Sequence, residues 1–154
     1  VIRELELHDL DQVLTIEKLQ FNTPWTHRDF EHELTQNPFA QYLVSEEKGV
    51  VLAYLGLWFL GNHAQITNLA THPDHLRQGH AQALVHHALA LATVQSLRNV
   101  NLEVRISNQA AQALYRKMGF QVEAVRKDYY PDTHEDALLM VRPLKEHKYE
   151  TARD

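Results

Sequence analysis

The chain has no cysteine among its 154 residues. That absence excludes a disulfide framework, a thiolate nucleophile, a thiolate metal site and any acyl-cysteine intermediate. No apolar run approaches the roughly 20 residues of a membrane span. The longest candidate, VVLAYLGLWFL at residues 50–60, is too short and too rich in β-formers. The opening VIRELELHDL lacks the pattern of a secretory signal. There is no internal repeat, no low-complexity linker and no long block of one charge, so extensive disorder is not expected. An excess of positive charge is missing too. The formal net charge is −5, which disfavours a general nucleic-acid binder and is compatible with a basic substrate. These exclusions leave a single domain over residues 1–144, suited to the reducing cytoplasm, and a polar tail, KEHKYETARD (145–154), expected to be mobile.

What is present alternates between two periodicities. Residues 1–6 read as a short strand. Asp9 or Asp11 can cap a helix whose apolar side is Leu10, Val13, Leu14, Ile16 and Leu19, ending near Phe21. The breaker NTPW follows, and Thr26 can cap a second short helix with Phe30 and Leu34 four apart. QYLVSEE, the Lys48-Gly49 turn and VVLAYLGLWFL predict a hairpin. Gly61-Asn62 predicts a second turn before HAQITNLAT, so residues 41–71 form a three-stranded antiparallel meander. From Gly79 to Leu97, Leu84, Ala88 and Leu91 mark one helical stripe, with Val85, Leu89 and Ala92 beside it. NVNLEVRI (99–106) alternates Leu102, Val104 and Ile106 against Asn101, Glu103 and Arg105. A helix from Asn108 to Met118 stops at Gly119, with Phe120 folding back onto its last turn. QVEAV and ALLMVRPL, on either side of YYPDTHED, are the last strands. The whole predicts an α/β fold: a mixed, mostly antiparallel central sheet of about seven strands with about four helices on both faces. Residues 63–104 form a β-α-β unit with parallel pairing and a right-handed crossover.

HPDHLRQGHAQALVHH, residues 72–87, joins polar sequence to an apolar-periodic helix at Gly79. A helix start offers unpaired N–H groups and about half a unit of positive charge. A glycine there lets an anion approach the main chain. Arg77 adds a charged fork, and Ala81 leaves space. Chemistry alone admits a phosphate cradle, or merely a flexible N-cap beside a solvated Arg77. His72, His75 and His80 crowd the same loop, with His86 and His87 after it. Without carboxylates at ligand spacing they are weak evidence for zinc, and no metal is expected. No serine-histidine-acid arrangement has supporting local context.

The stretch Leu76-Arg77-Gln78-Gly79-His80-Ala81 resembles the Gln/Arg-x-x-Gly-x-Gly/Ala turn of the GNAT acyltransferase superfamily, with Leu76 standing where the family has a polar side chain. LEVRISNQAAQALYRKMGF (102–120), YYPDTHEDALLM (129–140) and Pro24-Trp25 resemble the RimI type of N-terminal acetyltransferase within that superfamily, over almost the whole chain to Leu144. The resemblance implies the GNAT fold, acetyl-CoA as acetyl donor, and pyrophosphate contacts at Arg77, Gln78, Gly79, His80, Ala81 and Gln82. It implies main-chain pairing of Leu69, Ala70 and Thr71 with the pantetheine, and Asn108 near the same arm. It assigns Glu103 as proton acceptor and Tyr115 as proton donor to the leaving thiolate, in direct transfer. The implied substrate is the N-terminal alanine of small-subunit ribosomal protein eighteen. The implied partner is therefore a protein N-terminus, with no membrane and no direct nucleic-acid contact; a monomer and a weak dimer both remain open.

The chemistry is consistent with those residue types. An α-amine with a pKa near roughly 7.7–8.0 is mostly protonated at pH 7, so a base must act. The thioester oxygen needs stabilising as charge develops, and the departing thiolate needs a donor. Glu103 is either that base or one half of a same-face salt bridge to Arg105. Asn108 and Tyr115 are two helical turns apart and share a face that Ala111 leaves open; otherwise Tyr115 is an ordinary half-buried tyrosine. Trp25 with Pro24, and Tyr129, Tyr130, Asp132 and Glu135, can flank a peptide cleft, aromatics giving shape and carboxylates attracting an ammonium. Turn chemistry is the alternative for that last loop. Of these, Trp25, Tyr130 and Asp132 are the substrate contacts expected. Two other functions fit the residues: acetylation of a small-molecule amine or a lysine side chain, and a CoA-binding module without catalysis.

Overall fold

Among residues 1–144, which the computed structural model describes, the chain runs β1 (Ile2–Glu4), α1 (Leu10–Gln20), α2 (His27–Gln36), β2 (Ala40–Glu47), β3 (Val50–Leu60), β4 (His63–Thr71), α3 (His80–Val94), β5 (Asn99–Arg105), α4 (Gln109–Lys117), β6 (Gln121–Arg126) and β7 (Ala137–Pro143). Short 3-10 turns at Leu7–Asp9 and Pro73–His75 precede α1 and α3. The expectation for the tail 145–154 lies outside the described residues. The strands form one seven-stranded sheet in the order β1-β2-β3-β4-β5-β7-β6. Pairing of β1 with β2, β2 with β3, β5 with β7 and β6 with β7 is antiparallel, whereas β4 and β5 pair in parallel across α3. The fold is the mixed α/β architecture the periodicities predict. The chain forms two compact units, Val1–Phe59 with Ile66–Ala88, and Leu60–Gln65 with the residues from Leu89 onward.

In the first unit, Leu10, Val13, Ile16 and Phe30 from the helices bury with Tyr42, Val44 and Tyr54 from the strands. Phe30 meets Tyr42 and Tyr54 edge-on at 6.1 and 5.8 Å between centroids, the geometry that aligns a ring edge with a neighbour's π face. Thr26 caps α2 as its position predicts: its hydroxyl accepts from the Asp29 N–H at 3.2 Å, and the Asp29 carboxylate accepts from the Thr26 N–H at 2.8 Å. Asp9 departs from expectation. It precedes α1, yet its carboxylate does not cap that helix. It accepts instead from the Glu6 N–H at 2.8 Å and from both terminal nitrogens of Arg3 at 2.8 Å. The 3-10 turn draws the side chain back toward β1, where a guanidinium offers two donors against the one a cap would supply.

In the second unit, the start of β4 runs beside β5 with Gln65 opposite Asn101, and β5 pairs with β7 from Asn99↔Pro143 to Arg105↔Ala137. The β5 alternation is as read: Leu102 and Val104 are buried, and Asn101, Glu103 and Arg105 are less so. Ile106 breaks the pattern, exposed because the strand ends one residue earlier. At the end of α4, Gly119 takes φ +90°, and the Arg142 Nε lies 2.6 Å from where a β-carbon would stand. Both backbone and space demand glycine there. Phe120 folds back as predicted, its N–H donating to the Tyr115 carbonyl at 2.9 Å and its ring 5.5 Å from the Tyr115 ring.

Candidate active site

The glycine turn belongs to the first unit. Arg77 and Gly79 both adopt left-handed backbone, at φ +61° and +87°. A β-carbon at Gly79 would meet nothing within 4 Å, so the dihedral alone calls for glycine. The helix α3 begins at His80, and the Ala83 N–H closes the first turn on the Gly79 carbonyl at 3.0 Å. The N–H groups of His80, Ala81 and Gln82 stand before that bond, with no acceptor inside the helix. Four side chains shape the rim. Gln78 Oε1 lies 3.3 Å from His75 Nδ1 and 3.4 Å from His80 Nε2, while His80 Nδ1 lies 3.2 Å from Ser45 Oγ. The Leu76 side chain is half exposed. On the preceding strand, Ala70 and Thr71 are buried, and the Thr71 carbonyl already accepts from Gln20 Nε2 at 2.6 Å. This arrangement of main-chain donors, a helix start and Arg77 suits an anionic phosphate. Among the described residues no group of three or more His, Asp or Glu side chains could hold a metal ion.

The titratable cluster belongs to the second unit. Glu103, with a side chain only 13% exposed, projects from the middle of β5. Its Oε1 accepts from Gln65 Nε2 at 3.2 Å, and its Oε2 lies 3.2 Å from Arg126 Nε. The alternative pairing with Arg105 does not form. Arg105 turns to the loop between β6 and β7, where it holds both oxygens of Asp132 at 3.0 Å, Glu135 at 3.0 Å and the Thr133 hydroxyl at 3.2 Å. The same guanidinium stacks 3.9 Å over the Tyr130 ring. Two carboxylates and an aromatic face outbid a single carboxylate two residues away on the same strand.

Three phenols belong to the same unit. The neighbouring Glu103 carboxylate pushes the pKa of Tyr129 up. Burial pushes Tyr130 up to about 12. Tyr115 is buried, and burial, followed by the neighbouring Tyr130, raises it well above the ordinary phenol range. It therefore keeps its proton throughout neutral pH. Arg105 and the Thr133 N–H hold Asp132 below the usual carboxylate range. Asp132 is thus an internal ion-pair partner, and its charge is not free to attract an ammonium as the sequence led us to expect. Asn108 stands just outside α4 as its cap, with Oδ1 accepting from the Ala111 N–H at 3.1 Å, so only its Nδ2 donors remain for another partner. Trp25, in the first unit, is anchored by its N–H to Glu17 at 2.8 Å and packs 5.1 Å from Phe30. It lines an open cavity of about 490 Å³ with Arg28, Asp29, His32, Glu33 and Trp58.

The model of the GNAT acetyltransferase family matches residues 10–120. The chain belongs to the GNAT acetyltransferase family. Within this family it is 44% identical to a Bacillus subtilis protein described as a candidate ribosomal protein bS18-alanine N-acetyltransferase, over 90% of this chain and 92% of the relative. It is 33% identical to the Escherichia coli ribosomal protein bS18-alanine N-acetyltransferase, over 93% of this chain and 97% of the relative. The crystal structure of the Escherichia coli ribosomal protein-alanine N-acetyltransferase superposes with a TM-score of 0.86 at 31% identity, covering 96% of this chain and 95% of that one. The archaeal Ard1 from Thermoplasma volcanium superposes with a TM-score of 0.85 at 26% identity, covering 95% and 98%. The chain is thus an N-acetyltransferase of the RimI type.

In this GNAT chain, sequence reading pointed to the glycine turn, Glu103, Tyr115 and Tyr130, and did not anticipate the contacts of Gln65 and Arg126 with Glu103 or the hub role of Arg105. The only available signal for Gln65 was its polarity between Ala64 and Ile66, which are both buried. That pattern gives the face a side chain occupies but not its partner, because partners depend on strand register.

Proposed function

We propose that the protein transfers the acetyl group of acetyl-CoA directly to the α-amine of a protein N-terminus, and that its substrate is the N-terminal alanine of ribosomal protein bS18. The observation that carries this reading is the environment of Glu103: a largely shielded carboxylate, held by side chains from β4 and β6 and bordered by Tyr129 and Tyr130. A carboxylate kept this way, with Arg105 committed elsewhere, is poised to take a proton from an incoming ammonium, directly or through water. Acetyl-CoA supplies an activated acyl group as its thioester. Arg77, Gln78 and the N–H groups of Gly79, His80, Ala81 and Gln82 are the residues suited to its phosphates. The main chain of Leu69 and Ala70 and the N–H of Thr71 suit its pantetheine, with the free Nδ2 of Asn108 a further donor.

Tyr115 acts on the other end of the reaction. A buried phenol whose pKa lies above the ordinary range is a weaker acid than a thiol, whose pKa is about 8.5 by analogy with cysteine. It serves the departing sulfur chiefly as a hydrogen-bond donor, lowering the barrier without a full, uphill proton transfer. Tyr130, stacked under Arg105, and Trp25 are the aromatic surfaces we assign to the substrate peptide. A ribosomal substrate places the reaction in the cytoplasm, and no helix among the described residues is long and apolar enough to cross a membrane.

Incubation of the enzyme and acetyl-CoA with peptides differing in their first two residues, followed by mass spectrometry, tests this function. An alanine-first peptide, Ala-Arg at its start, is expected to gain one acetyl group on its α-amine. Acetylation of polyamines with every peptide left untouched would reject the assignment.

A further inference from the structure

We propose that Gln65 is a positioning residue for Glu103: its carboxamide, projecting from β4, pins one carboxylate oxygen and so decides which acceptor site stays open to the reacting amine or its relay water. This rests on the reading of Glu103 as the base. The geometry begins with strand alternation. Ala64 and Ile66 are buried, so Gln65 projects to the other face of β4; Leu102 and Val104 are buried, so Glu103 likewise projects away from them on β5. The parallel register sets Gln65 opposite Asn101, which leaves Glu103 two residues further along, a diagonal neighbour within reach of a long side chain. The Gln65 Nε2 reaches Glu103 Oε1 at 3.2 Å.

A carboxylate has about four acceptor sites. Gln65 takes one on Oε1, and the Arg126 guanidinium pairs with Oε2 at 3.2 Å. The direction of the sites left open is fixed only if these two partners hold the carboxylate against rotation. Among these donors Gln65 has a property that Arg126 lacks. It is neutral, so it orients the carboxylate without offsetting its charge, and the base retains its attraction for an ammonium. Its side chain also carries an acceptor, Oε1, beside the donor it gives to Glu103. It can therefore receive an N–H or O–H from the group that delivers the proton.

The test uses the full chain with Gln65→Leu, which removes both functions, and Gln65→Glu, which keeps the shape and replaces the donor with a second carboxylate. Rates with an alanine-first peptide and acetyl-CoA are measured across pH, thermal melting reports folding, and Glu103→Gln is run alongside. Both Gln65 variants are expected to lose about tenfold in kcat with the acetyl-CoA KM unchanged. If Gln65→Leu fails to fold, Gln65→Glu alone decides the outcome. An unchanged kcat in folded Gln65 variants, with Glu103→Gln inactive, would overturn the role of Gln65 and leave the base in place. A fully active Glu103→Gln would remove the base itself, and this inference with it.

Discussion

The turn at residues 76–82 and the cluster around Glu103 are built from different materials. In the turn the donors belong to the main chain, set by positive φ at Arg77 and Gly79 and by the start of α3. Side chains there line the rim, with a leucine at 76 and a histidine at 80. Around Glu103 and Arg105 the contacts are made chiefly by side chains, and the partners come from β4, β5, β6 and the loop after β6. A main-chain site is robust to substitution and sensitive to backbone conformation. A side-chain site has the reverse sensitivities. The largest test of that contrast is Glu103→Gln, which keeps the shape of the side chain and removes the carboxylate we propose as the base. Its kcat is expected to fall by roughly 10²–10⁴, with acetyl-CoA affinity from calorimetry unchanged. An equal loss of affinity would mean the two regions do not divide the labour in this way.

Tyr115→Phe comes next, with kcat falling by about 10- to 100-fold while acetyl-CoA affinity holds, since one charge-assisted hydrogen bond at the sulfur is lost. The direction of its pKa adds a second expectation. Burial raises the phenol, so it remains protonated below the ordinary range of about 10. No fall in wild-type kcat between pH 8 and roughly 10 should therefore trace to Tyr115, and the pH profiles of wild type and Tyr115→Phe should be parallel there. A basic limb that disappears in the variant would show that the phenol ionises earlier.

Much of this was legible before any coordinates. The period-2 burial of Leu102 and Val104, the Thr26 cap and the stop at Gly119 each depend on residues close together in sequence, so local rules recovered them. Glu103 was legible as a carboxylate in the middle of an alternating strand. Its partners were not, because Gln65 reaches it through a register fixed by the pairing of β4 with β5, 38 positions apart in the chain. The same limit hid Arg105, whose carboxylate partners lie 27 and 30 residues downstream. Asp9 was misread for a different reason: the short 3-10 turn before α1 has no periodic signature, and Arg3 competes with the helix for the side chain. Main-chain sites are legible through glycine, whereas side-chain sites are legible only residue by residue.

Gly79→Val attacks the turn at its sensitive point. A β-branched residue at φ +87° costs about 1–2 kcal/mol even though space is open around it. The acetyl-CoA KM is expected to rise by about tenfold, and kcat at saturation to stay within about twofold, the mirror image of Glu103→Gln. Acid offers a smaller, reversible perturbation of the side-chain-built region. Asp132 and Glu135 both titrate below their ordinary range because the Arg105 guanidinium and nearby hydrogen bonds favour their ionised forms. A depressed carboxylate stabilises the folded loop fully above its unfolded pKa of about 4 and loses that contribution as pH falls through the lower folded value. Limited proteolysis should find the loop at residues 127–136 opening first below about pH 4, with Arg105→Gln opening it already at pH 7. Resistance of that loop in Arg105→Gln would show that its backbone, not the guanidinium, holds it.

The smallest expected effect is the most discriminating. Leu76 occupies the position where relatives of the glycine turn place a polar side chain, and it is half exposed. If that side chain mattered, Leu76→Gln would restore a hydrogen bond to the phosphates, and one such bond contributes about 0.5–1.5 kcal/mol, a two- to tenfold gain in affinity. If main-chain donors and Arg77 carry the load, the new amide merely exchanges water for a contact at an exposed rim, and acetyl-CoA affinity should improve by no more than about twofold. Calorimetric titration of acetyl-CoA into both proteins reads the difference directly. A tenfold improvement would place a side chain among the determinants of a site otherwise built from backbone, and the contrast with the Glu103 cluster would then be one of degree.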